Sequence, residues 1–145
     1  TRLIGGKTDI VMMLNGALAG LVAITAEPLT PGPITAMIIG SIGAIIMYFG
    51  TKMLESYGLD DVVGAIPVHM FAGIFGTLVV PLTNPDTSFG TQLIGTASVC
   101  LFSFVLSWAT FTGLKSTIGL RISKAAEKLG TDKAEVGVSA YSIRD

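Results

Sequence analysis

The sequence predicts an all-α membrane protein of four transmembrane helices followed by a short amphipathic tail. Three observations carry this. Half of the 145 residues are apolar and only 13% are charged, well below the charge that coats a soluble domain, and mean hydropathy is +0.72. Between Asp9 and Lys115 the only charged residues are Glu27, Lys52, Glu55, Asp60, Asp61 and Asp86. They separate four charge-free windows, Ile10–Ala26, Pro28–Thr51, Val62–Pro85 and Thr87–Leu114, of 17, 24, 24 and 28 residues. A hydrocarbon layer about 30 Å thick is crossed by roughly 20 helical residues. The spans are therefore expected near 10–26, 34–54, 63–80 and 91–114.

The connections follow in order. Pro28, Pro31, Gly32 and Pro33 make a stiff first turn, and Pro33 suits the first turn of the second helix. Asp60 or Asp61 is placed to cap the third helix, because a carboxylate accepts the free N–H groups there. Pro81, Asn84, Pro85 and Asp86 mark the next turn. Beyond Lys115, the apolar residues Ile118, Ile122, Ala125, Ala126 and Leu129 alternate with Arg121, Lys124, Glu127 and Lys128, a short amphipathic segment ending at Gly130. The chain thus divides into a transmembrane part, 1–116, and a tail, 117–145. It begins at Thr1 rather than Met, so it is expected to be processed or part of a longer protein.

Charge asymmetry orients the spans. Arg2, Lys7, Lys52, Lys115, Arg121, Lys124, Lys128, Lys133 and Arg144 are all the basic residues, and all fall at the two ends or in the middle loop. The loops 27–33 and 81–90 have none. By the positive-inside rule both ends and the middle loop are cytoplasmic, in a plasma or inner membrane. The apolar content is spread over four windows, which excludes a signal peptide. A net charge of −1 gives no reason to expect nucleic-acid binding, and the single Cys100 excludes a disulfide framework or a cysteine-cluster metal site. No metal or cofactor site, phosphate loop or Ser/His/Asp set is legible, so an enzyme has no support.

Small residues recur every four positions: Gly16 with Gly20; Ala36, Gly40 and Ala44; Ala72 with Gly76. Such stripes let helix backbones approach closely, within one chain first and between subunits second. His69 is the one ionisable residue inside a span. It lies about 12 Å along a helix from Asp61, near mid-bilayer, where hydrocarbon disfavours the imidazolium. A neutral ring with one donor and one acceptor suits proton exchange or guidance of a polar solute; the alternative is a structural histidine bonded to a neighbouring helix. Pro67 cannot donate a backbone N–H, which either frees a carbonyl nearby or bends the helix. Asn15 fits an interhelical hydrogen bond better than a ligand contact. Thr25, Ser41, Ser98, Ser103, Ser107 and Thr110 fit bonds to their own helix. Tyr48 and Trp108 suit an interfacial belt, Phe71 and Phe75 suit packing, and Cys100 reads as a small core residue.

These residues carry a resemblance. Asn15-Gly16-Ala17-Leu18-Ala19-Gly20-Leu21-Val22-Ala23-Ile24-Thr25-Ala26 resembles the late-helix signature of the ammonium transporter family (Amt/Mep/Rh). Asp60 to His69, followed by Gly73-Ile74-Phe75-Gly76-Thr77-Leu78, resembles its second pore-histidine segment, and Thr117 to Ile122 its tail start. The resemblance implies the last four helices of an inverted-repeat eleven-helix bundle, with the N-terminal portion supplied elsewhere. It implies conduction of ammonia through an apolar pore, with ammonium deprotonated at a histidine pair. His69 matches the second histidine of the pair, and Asp61 the acidic residue capping the pore helix. The first histidine, the phenylalanine gate and the outer aromatic site have no counterpart here. Met70 stands where glycine is usual, Pro67 is unusual, and Glu135–Tyr141 matches the family's tail only loosely. The resemblance further implies a homotrimer and a PII-type regulator at the tail. The competing readings are an ammonium-sensing module driving a signalling partner, and a structural membrane subunit.

Overall fold

The computed structural model describes residues 8–140, and every element among them is helical. The chain forms two compact units, residues 1–100 and 101–145. Arg2, Lys7, Tyr141 and Arg144 lie outside the described residues, so what the sequence suggests for them has no structural counterpart here.

In the first unit α1 spans Ile10–Ile24 and α2 Pro33–Ser56. A π-helical turn, Ile66–Phe71, runs directly into α3, Ala72–Val79, and ends in a 3-10 turn, Val80–Leu82. α4 begins at Phe89 and extends to Thr117. By length and composition α2 and α4 are long and apolar enough to cross a membrane, while Ile10–Ile24 and Ile66–Leu82 are shorter apolar helices. The first expected span thus closes two residues early. Thr25 stops it, with its N–H turned back to Val22 O and its hydroxyl to Leu21 O. The third starts three residues late, because the chain needs residues 62–65 to turn into its helix.

Local chemistry sets the ends. Asp9 caps α1 by accepting the Met12 N–H at 3.0 Å. Pro33 opens α2 with its ring where no N–H is needed. After α2 the Leu59 N–H returns to Leu54 O at 3.0 Å and closes the turn. The first and third connections are tied to each other, since Asn84 Nδ2 donates to Glu27 Oε2 at 3.0 Å.

α1 packs on α2 and α3, and α2 packs on the π turn and α3. The buried centre is Ala19, Met47, Val68 and Ala72, flanked by Met12 and Val22. The small-residue stripes make these contacts within the chain. A Cβ on Gly20 would lie 3.1 Å from Gly40 O, and one on Gly43 would lie 2.6 Å from Ala23 Cβ. The backbones therefore approach as small residues allow. Thr25 and Ser41 bond their own helix carbonyls, as expected.

In the second unit, residues 101–117 continue α4 with its apolar side chains exposed. The expected amphipathic segment is shorter than its sequence pattern. Gly119 adopts φ +83° while the N–H groups of Ile118 and Gly119 fold back to Leu114 O, which ends α4. Helix resumes only at Ser123, whose extended backbone and hydroxyl cap α5, Lys124–Leu129. Ile118 and Ile122 therefore lie outside it. Arg121 and Glu127 pair across the cap at 3.1 Å, both exposed. A π turn, Asp132–Val136, follows. Backbone N–H groups of Ala140 and Lys133 hold the Asp132 carboxyl below the usual carboxylate range.

Candidate functional site

The stretch from Asp61 to Leu82 has two unlike faces. Val68, Ala72, Gly76 and Val80 are buried against α1 and α2. His69 and Met70 are exposed, and with Gly73, Ile74 and Thr77 they form one wall of an open groove of about 310 Å³. The opposite wall is Gln92, Gly95, Thr96, Val99 and Cys100 of α4. His69 thus presents its ring to a mainly apolar trough.

Asp61 holds the entry to this helix. Its two carboxylate oxygens accept the N–H groups of Ala65 and Ile66, at 2.9 and 2.8 Å. Asp61 is the cap the sequence left open between two neighbours; Asp60 is exposed and makes no bond to this helix among the hydrogen bonds found. Asn15 reaches across from α1 and donates Nδ2–H to Val63 O at 2.9 Å. It sits against Gly64, whose φ of +75° favours glycine and where a Cβ would lie 2.6 Å from that nitrogen. Pro67, the second residue of the π turn, is buried, and a Cβ on Gly50 would lie 3.2 Å from its Cβ.

The structure thus brings Asn15 and Asp61 to the loop that launches the His69 helix, while His69 faces away from both into the groove. Phe71 packs on Gly50 of α2. Cys100 is not a core residue. It is exposed on the groove wall, because α4 buries none of its residues in this chain. Sequence reasoning also passed over Gln92 and Thr96. Both lie on one stripe of α4 with Cys100, at spacings of four, a signal hidden by the near-uniform apolarity of that helix. Among the described residues no cluster of three or more His, Cys, Asp or Glu could hold a metal ion.

Comparison with known proteins shows the family. The sequence model described as the Ammonium Transporter Family matches residues 1–141. The ammonium transporter Amt2 of Archaeoglobus fulgidus is 39% identical, with 97% of this chain and 34% of that protein covered. A putative ammonium transporter of Synechocystis, sll0537, is 39% identical over 85% of this chain and 25% of its own length. Amt2 of Methanocaldococcus jannaschii is 34% identical, covering 96% and 35%. The chain spans a quarter to about a third of the length of these relatives.

Proposed function

Because the chain belongs to the ammonium transporter family, we propose that it forms part of an ammonium conduction pathway in which His69 faces the passing solute. The observation that supports this is the exposure of His69 on an apolar groove, while Val68 beside it is buried. A protein with only a packing use for the ring would turn it inward to a partner, since an imidazole unpaired in hydrocarbon is costly.

The physical basis is a difference in desolvation. Removing water from a lone ammonium ion in a low-dielectric channel costs far more than removing it from neutral ammonia. An apolar conduit passes ammonia once the proton is given up, and it rejects potassium and sodium, which have no proton to lose. A neutral imidazole offers one donor and one acceptor without a fixed positive charge. His69 therefore exchanges a hydrogen bond or a proton with the solute, as one member of a pair whose other histidine lies outside this chain. Asp61 and Asn15 act on the backbone leading to His69. All nine basic residues at the chain ends and in the middle loop support the proposal that both ends face the cytoplasm, with 1–116 in the membrane and 117–145 as its tail.

The test is ammonium uptake in the full-length transporter, with folding checked by size-exclusion chromatography. His69→Ala is expected to lose most of the flux, or its selectivity over potassium, while remaining folded. Wild-type flux and selectivity in that variant would make the histidine structural.

A further inference from the structure

The C-terminal half of α4 carries a second groove, unrelated to His69. Phe104, Trp108, Phe111 and Lys115 recur every three or four residues and so share one face of the helix. The three rings are each more than half exposed. After α4 the chain turns at Gly119, and Leu120 lines the groove with them. The space enclosed is an open trough of about 310 Å³. From Phe104 to Lys115 it follows the helix for about 16 Å. That is half of a hydrocarbon layer about 30 Å thick, the depth of one leaflet.

The two ends of the trough differ. The Phe104 end is apolar. At the other end Lys115 makes no ion pair among the described residues. The sequence has no Asp or Glu between Asp86 and Glu127, and Glu127 pairs with Arg121. Thr112, nearly one turn before Lys115, also leaves its hydroxyl unbonded, whereas the Ser116 and Thr117 hydroxyls donate to Gly113 O. A lysine at the end of a span extends its charge to the membrane surface while its stem stays in the apolar layer. A cation without a carboxylate, above an aromatic trough one leaflet deep, is complementary to a lipid with a net negative headgroup. An apolar helix in the same trough would leave that cation without a counter-charge.

We propose that this face of α4 binds one anionic phospholipid, with an acyl chain along Phe104, Trp108 and Phe111 and the phosphate at Lys115. The Thr112 hydroxyl, about 5 Å below Lys115 along the helix, donates to the glycerol ester. The leaflet that supplies the lipid rests on the orientation proposed above, which makes it the cytoplasmic one; the site itself does not.

The experiment uses the full-length transporter in phosphatidylcholine nanodiscs that carry a trace of lipid with a photoreactive acyl chain. The headgroup of that probe is either phosphatidylglycerol or phosphatidylcholine. After irradiation, peptide mass spectrometry locates the attached lipid. Labelling of the face that holds Phe104, Trp108 and Phe111 is expected to be about fivefold stronger with the phosphatidylglycerol probe, the factor that one lysine at the surface contributes. Lys115→Gln is expected to bring the two probes level, and Lys115→Arg to keep the preference. Labelling spread evenly around α4, or equal labelling by both probes in the wild type, means general lipid contact and overturns the proposal. So does a face without label, which protein must then cover, and so does a preference that survives Lys115→Gln. If Lys115→Gln does not fold, Lys115→Met keeps the apolar stem and carries the same comparison; misfolding of both also overturns it. If the orientation of the chain proves reversed while the preference holds, the lipid comes from the outer leaflet and the site stands.

Discussion

Adding a single methyl group at Gly76 tests how α1 and α3 are held together. Gly76 is buried, and a Cβ there would lie 2.9 Å from both Cα and carbonyl carbon of Ala23, and closer still to its oxygen. Those are backbone atoms, which cannot swing aside as a side-chain tip can. Gly76→Ala must therefore push α3 away from α1, and overpacking of that kind costs about 1–3 kcal/mol or more. A graded control comes from two glycines without such a backbone contact, Gly16 of α1 and Gly95 of α4. A Cβ on Gly16 meets nothing nearer than Met47 Cε at 3.7 Å, and one on Gly95 meets nothing within 4 Å. In helix interiors these two substitutions also gain intrinsic helix propensity, about 1 kcal/mol each. The expected order of thermal stability for full-length protein in detergent, followed by fluorescence-detected size exclusion, is Gly95→Ala and Gly16→Ala at or above wild type, and Gly76→Ala clearly below. Because α3 continues from the turn that carries His69, Gly76→Ala should also reduce ammonium flux. Stability of Gly76→Ala equal to that of Gly16→Ala would falsify the backbone-contact argument.

Two further outcomes are expected. In a Cys100→Ser background, cysteines introduced at Thr30 and Ser88 should react with an impermeant thiol reagent applied to intact cells, and one at Tyr57 should not; labelling at Tyr57 alone reverses the orientation. The Asp132 carboxylate is held below its usual range by the backbone N–H groups of Ala140 and Lys133. A carboxylate with a lowered folded value stabilises the turn above its unfolded value and loses that contribution as pH falls through the lowered one. Hydrogen exchange at the Ala140 amide, corrected for its intrinsic pH dependence, should show protection at neutral pH that disappears only under distinctly acid conditions. Protection independent of pH refutes the carboxylate's part in it.

The helices were legible because charge is excluded from hydrocarbon more stringently than any propensity rule operates. Six charged residues between Asp9 and Lys115 were enough to place four apolar helices. Their ends were less legible, because they depend on where one hydroxyl or carboxylate finds an N–H. Thr25 closed α1 early, and Ser123 restarted the tail helix after an apolar pattern that had suggested continuity through Ile118 and Ile122. Periodicity reports which face is apolar; it does not report that Gly119 has turned the chain.

The site divides along the same line. His69 was visible in the sequence because an ionisable group within a charge-free window is costly enough to need a reason. The choice of Asp61 over Asp60 was not, since either carboxylate satisfies a capping rule and only the path of residues 62–65 distinguishes them. Asn15 illustrates the remainder. Its own pattern suggested an interhelical bond, but one sequence cannot say which group answers it. The acceptor proves to be Val63 O, at 2.9 Å, in the turn that carries the chain from Asp61 into its helix. That contact depends on the path of residues 62–65 and on Gly64, whose φ of +75° favours glycine, and the periodicity of neither helix records such a path.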